Sequence, residues 1–143
     1  MQRILSIFVL SVFAPFVALG EDDFTCAITE TVLAQPPDDP NADPFFHAHW
    51  YINNNKSIWA GWDAPKMRVG RNKVLWIRPK ETVLEVTAHH LDGDGEFSSN
   101  IPRGYLTGFQ ATGLSFTKPG CWKIKATSGG ETLEFTTKVT NGT

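Results

Sequence analysis

The feature that most restricts the fold lies near the C-terminus, where two alternating stretches meet at Gly129-Gly130. Trp122, Ile124 and Ala126 fall on one side of the first stretch, and Cys121, Lys123 and Lys125 on the other. In the second, Leu133, Phe135, Thr137 and Val139 alternate with Thr132, Glu134, Thr136 and Lys138. Two glycines supply the positive φ of a tight hairpin turn. Folding about them sets Ala126 opposite Leu133, Ile124 opposite Phe135 and Trp122 opposite Thr137. A slip of one residue would carry the whole apolar set to solvent, so the register is specified. Cys121 falls on the polar face or edge of this hairpin.

The same period of two recurs upstream. From His47 to Ile52, Ala48, Trp50 and Ile52 share one face, with His47, His49 and Tyr51 on the other. Asn53-Asn54-Asn55 signals a turn, and Ser57 to Trp62 reads as the next strand. Gly70-Arg71-Asn72 reads as a turn before a strand from Lys73 to Arg78, and Pro79-Lys80-Glu81 as another turn. Leu84, Val86, Ala88 and His90 then alternate with Val83, Glu85, Thr87 and His89. Asp92 to Gly104 reads as a polar loop. No stretch after Phe45 carries a 3.6-residue apolar period, so short strands and Gly/Pro turns predict a sandwich or barrel.

The N-terminal part has a different character. Arg3 precedes an apolar run from Ile4 to Val17, and Ala18-Leu19-Gly20 places small residues before Glu21. This is the pattern of a cleaved secretory signal, residues 1–20. The run is shorter than the roughly 20 apolar residues of a membrane span, and Pro15 interrupts it. No later run is long enough to span, so no membrane span is expected after signal removal. A lipid anchor would need a cysteine at the cleavage point, and Cys26 lies beyond it. Residues 21–46, with Pro36, Pro37, Pro40, Pro44 and Asp38, Asp39, Asp43, read as an irregular leader to a domain at 47–143. In an oxidising compartment Cys26 and Cys121, the only two cysteines, most simply pair. The disulfide would bind the leader across the outside of the sandwich. A secreted, periplasmic or cell-surface location follows. The net charge of −2, with no basic stripe, argues against nucleic acid as a partner.

Several segments resemble a family of small exported bacterial proteins, often lipoproteins, of unassigned function. These are Ile101-Pro102-Arg103-Gly104-Tyr105, Gly108-Phe109-Gln110-Ala111-Thr112-Gly113-Leu114, Phe116 and Pro119-Gly120-Cys121-Trp122. Trp50-Tyr51 with Asn53 and Trp59, Val74-Leu75-Trp76-Ile77-Arg78 and Leu91-Asp92 are similar to it more loosely. Ile52 departs from the family's glycine in Tyr-Gly-Asn, and His47-Ala48-His49 is foreign to it. The resemblance implies an immunoglobulin-like antiparallel β-sandwich of about seven to eight strands, and a leader cysteine supports the Cys26–Cys121 pairing. It implies no activity.

Catalytic patterns are absent: there is no Gly-x-Ser-x-Gly elbow, His-Glu-x-x-His helix or phosphate loop. Asp92, Asp94 and Glu96 lack the later ligands of a calcium loop and read as a solvated turn. His47 and His49 share a strand face about 6–7 Å apart, a spacing that suits zinc or copper, and His89 first, or Asp92 second, would supply a third ligand if the strands are neighbours. Against this, such positions tolerate any polar residue. Of the five tryptophans, Trp59 and Trp62 differ in parity, so a regular strand exposes one. Trp59, beside Asn53 to Asn55, could stack on a sugar ring or lie under the leader. Asn55-Lys56-Ser57 and Asn141-Gly142-Thr143 match glycan acceptor sites. The expectation is a non-enzymatic exported binding or structural module of the cell envelope, without cofactor, and alternatively an envelope metal-binding protein.

Overall fold

The computed structural model describes residues 25–36, 49–62 and 66–142. Among them are ten strands and no helix: β1 (Val32–Leu33), β2 (His49–Ile52), β3 (Trp59–Gly61), β4 (Met67–Arg68), β5 (Gly70–Ile77), β6 (Leu84–His90), β7 (Phe97–Asn100), β8 (Phe109–Phe116), β9 (Gly120–Ser128) and β10 (Glu131–Thr140). They form two sheets, β1-β2-β3-β5-β8-β7 and β4-β10-β9-β6. Seven of the strands make the immunoglobulin frame, β3-β5-β8-β7 against β6-β9-β10. β1 and β2 extend the first sheet, and β4 runs parallel to β10. Every other strand pair is antiparallel, as expected of the sandwich, with ten strands among the described residues in place of about seven to eight. The chain switches sheets at Val69, so β4 meets the last strand from the opposite direction.

The C-terminal hairpin has the register its alternation requires, with Leu133 opposite Ala126, Phe135 opposite Ile124 and Thr137 opposite Trp122. Gly129 and Gly130 carry φ of 60° and 82°, where a side chain is strained. Leu133, Phe135 and Val139 are buried with Trp122, Ile124 and Ala126. From the facing sheet come Tyr51, Ala60, Val74, Trp76, Leu114 and Phe116, completing one core between the sheets. Glu134, on the outer face, bonds to Lys123, and Lys125 lies at 3.8 Å. The hydrogen bond from Lys123, with its charge, holds the Glu134 carboxyl below the usual range. Such exposed pairs add little stability.

Trp50, Trp76 and Trp122 are all expected on core faces, and in strand β2 Trp50 departs from that expectation. Tyr51, not Trp50, enters the main core, stacked on Phe135 at 4.0 Å. Its phenol is pushed up by burial, partly offset by a hydrogen bond with Thr137. Trp50 turns to the outside of the first sheet, where it packs with Trp59 and Leu75 in a second apolar cluster. The cause is Gly61, its cross-strand partner: a Cβ there would lie 2.7 Å from the indole. The absent side chain makes a seat for the ring. Both faces of β2 are therefore apolar, and alternation alone could not say which one is the core.

Three strands lie where irregular chain was expected. β7 sits within the Asp92 to Gly104 segment, and β5 begins at Gly70 and runs through the expected turn. Asn72 makes that early start possible: its side chain accepts from Arg68 N–H and donates to the Arg68 and Gly70 carbonyls. β1 belongs to the leader, so the boundary expected at 47 separates two paired strands of the first sheet. The Pro/Asp-rich part of the leader from 37 onward lies outside the described residues.

The disulfide joins Cys26 to Cys121 with the Cα atoms 6.1 Å apart, within the ordinary range. Cys121 is buried although its neighbours Trp122 and Ile124 take the core face. From Cys26 the leader reaches β10, where Thr29 N–H donates to the Thr136 carbonyl and Thr29 Oγ1 accepts from Thr136 N–H. It then pairs with β2 through β1. The leader is thus a strap, bonded covalently to one sheet and by strand pairing to the other.

Candidate interaction surface

The fold separates His49 from His89. His49 opens β2, near one edge of the six-stranded sheet, and is exposed. His89 is exposed on β6, the edge strand of the other sheet, opposite Lys123. β2 lies on the β10 side of the sandwich and β6 on the β7 side. His89 therefore cannot complete a site with His49, and its nearest cross-strand neighbour is a cation. His47 lies outside the described residues. Among the described residues no three His, Cys, Asp or Glu side chains gather in a metal-holding group, Asp92, Asp94 and Glu96 included. His90 is structural: its Nε2 bonds to the Pro119 carbonyl, Asp92 N–H donates to its Nδ1, and its ring packs edge-on against Trp122.

Trp59 corrects the stacking expectation. It is 5% exposed, packed edge-on against Trp50 with ring centroids 6.1 Å apart, and its indole N–H donates to the Lys56 carbonyl. Leader residue Ala34 packs against this cluster, which is the second of the two places anticipated for Trp59. No indole face is left for a sugar. Trp62 is half-buried over Tyr51 and Phe135.

The more telling feature is a buried arginine. Arg78, just past β5, is 4% exposed and has no carboxylate partner among the described residues. Nε donates to Gln110 Oε1 at 2.8 Å, Nη2 to the Tyr105 carbonyl at 2.8 Å and Nη1 to the Pro79 carbonyl at 3.0 Å. Gln110 Nε2 donates on to the Pro102 carbonyl at 2.7 Å. Backbone bonds from Arg78 N–H to Gly108 O and from Glu81 N–H to Leu106 O add two more ties. Gly108 has to be glycine here, since a Cβ would lie 2.9 Å from the Arg78 carbonyl. Burial pulls the guanidinium down from its ordinary value, yet it stays a cation at any physiological pH.

A buried cation whose described partners are all neutral acceptors is costly to fold. What it secures is the shape of the loop from 101 to 108. That loop carries Leu106 at 71% exposure and Tyr105 at 42%, and Phe109 follows at 44%. Phe109 pairs with Ile77, which packs against the Trp50–Trp59–Leu75 cluster. Apolar side chains thus stand in solvent on a backbone fixed from beneath. Fixed apolar groups of this kind fit a contact surface better than a mobile linker.

The Arg78 network is open to a direct test. Arg78→Met keeps the stem but removes the donors from Gln110 and Tyr105. It should lower stability by about 1–3 kcal/mol, the cost of stranding buried acceptors. Hydrogen exchange should speed up at residues 101–108 and stay unchanged in the β9–β10 hairpin. Uniform acceleration across the domain would show that the arginine serves the fold as a whole.

Compared with protein-family models, with curated proteins and with solved structures, the chain matches none.

Proposed function

We propose that the protein is an exported, non-enzymatic binding module of the cell envelope whose contact surface is formed by Tyr105, Leu106 and Phe109. The observation that carries this reading is the Arg78–Gln110 network, which holds the loop while leaving its apolar side chains in water. The disulfide suits an oxidising, extracytoplasmic compartment, in accord with the signal-like N-terminus. The resemblance to small exported bacterial proteins rests partly on Gly108-Phe109-Gln110 and supports the same reading. Each of those residues has a part here: close approach, exposed ring and buried staple. A metal-binding reading would have to rest on His47 and His49 without His89, and no observation favours it.

The test places a photo-crosslinking residue at Leu106, Phe109 or Asp94 in the exported protein. Adducts should form from the first two positions and not from Asp94, which is exposed but outside the surface. Leu106→Asp should abolish the Phe109 adduct while shifting stability by no more than about 0.5 kcal/mol, as for other exposed substitutions. Adducts from all three positions alike, or from none, would reject the surface.

A further inference from the structure

We infer that β6 is a self-complementary edge through which two copies of this chain join their four-stranded sheets, antiparallel, about a two-fold axis at Thr87. β6 pairs only with β9, so one side of it has no strand neighbour among the described residues. The phase of its free groups is fixed by the Leu91 N–H bond to the Cys121 carbonyl. Leu91, His89, Thr87 and Glu85 turn their amides toward β9. Leu84, Val86, Ala88 and His90 turn theirs outward. At seven residues β6 is the longest of the four edge strands among the described residues, against four for β7 and two each for β1 and β4. It also lacks the usual guards: there is no proline, lysine or arginine from Leu84 to His90.

The sequence of this edge identifies its occupant. In an antiparallel pair centred on Thr87, the outward-turned Val86 meets Ala88 of the second copy, and Leu84 meets His90. These are the hydrogen-bonded positions the open amides require. Between them lie the close, non-hydrogen-bonded positions, whose side chains stand on the outer face. There Glu85 faces His89 of the second copy, and Thr87 faces Thr87. Extending the alternation by one residue at each end sets Val83 opposite Leu91. Those two are exposed apolar residues, 75% and 46%, with no apolar cluster of their own to join. Carboxylate meets imidazole, hydroxyl meets hydroxyl and apolar meets apolar, all in the one register that uses every free amide. Moving the axis to Val86 or Ala88 sets Glu85 against Thr87 or Leu91, and leaves outward amides unpaired.

Lys123 of β9 lies beside His89, and Lys125 beside Thr87. Glu85 of the second copy would then add a carboxylate to a face where Glu134 already bonds to Lys123. The paired edges give an isologous contact, the symmetry of most homodimers.

The experiment uses the exported, disulfide-bonded protein. Sedimentation velocity from micromolar to submillimolar concentration should show a reversible monomer–dimer equilibrium. Thr87→Lys sets two ammonium groups face to face on the axis and should weaken the dimer by at least tenfold. Ala88→Pro removes an outward amide without touching the β9 ladder and should do the same. Thr87→Cys should form a covalent dimer on mild oxidation, with Cys26–Cys121 checked by peptide mapping. Glu85→Cys should not, because its symmetry mate lies four residues along the partner strand, about 13 Å away and too far for a disulfide. A monomer throughout the concentration range would overturn the proposal. So would a dimer unaffected by Thr87→Lys, or equal cross-linking from both cysteine variants.

Discussion

Phe135→Ala should lower the free energy of unfolding by about 3–5 kcal/mol, the range for truncating a buried phenylalanine, whereas Thr136→Ala should cost under about 1 kcal/mol. Phe135 is 2% exposed and lies in the centre of the main core. Tyr51 stacks on it at 4.0 Å and 11° from coplanar, Trp62 lies at 6.2 Å, and Ile124 is its cross-strand partner. Those rings come from β2 and from the end of β3, on the opposite sheet, so the cavity would open at the contact between the sheets. Rigid stacked rings cannot close such a gap by a rotamer change, which places the expected cost toward the upper end. Thr136 contributes to the strap through its backbone, and alanine keeps both of those bonds. Urea midpoints with unchanged m-values would measure the pair. Equal midpoints would mean that the hairpin presents its other face to the core.

The hairpin was legible because turn and period agree. Gly129-Gly130 permits one tight turn, and a single register then buries every apolar residue. Legibility falls where one of those signals is missing. β2 has apolar residues on both faces, and the deciding residue, Gly61, is remote in sequence and acts by having no side chain. β7 is too polar to announce itself: Phe97 and Ile101 pack on the core, while Ser98, Ser99 and Asn100 are exposed. β1 is two residues long and exists because the strap brings it beside β2. Such strands are products of tertiary structure, not of local propensity.

The site was less legible than the fold, for a related reason. His47, His49 and His89 drew attention as residue types that bind metal, but a site needs strand adjacency, which spacing cannot supply. Arg78 ends a strand pattern and looks like any exposed cation at a turn. Its burial depends on Gln110, Pro102 and Tyr105, which approach it only when β8 lies beside β5. The available signal was indirect: Gly108, Phe109 and Gln110 are a close-approach glycine, an aromatic and an amide in a row, more specific than a solvated loop requires.

Removing the disulfide as Cys26→Ala with Cys121→Ala should cost about 2–5 kcal/mol, comparable with the Phe135 truncation but by a different route. The two cysteines are 95 positions apart, so the bond closes most of the described chain into one loop. In the chain-entropy account a loop of that order is worth about 4–5 kcal/mol through restriction of the unfolded ensemble. The native contacts of the hairpin core would be untouched. A freer unfolded chain exposes more surface, so the urea m-value should rise, where Phe135→Ala should leave it unchanged. The folded state should respond locally as well. Without Cys26 the described part of the strap keeps the Thr29–Thr136 bonds, the short β1–β2 pairing and the packing of Ala34. Ala34 would cover Trp59 less firmly, and amides at 29–34 should exchange faster while those of β9 and β10 do not. Trp59 emission should shift toward the red as its cover loosens, read as the difference between spectra with and without Trp59→Phe. A lower midpoint with an unchanged m-value and an undisturbed Trp59 would show that the bond acts through native packing and that the strap holds without it.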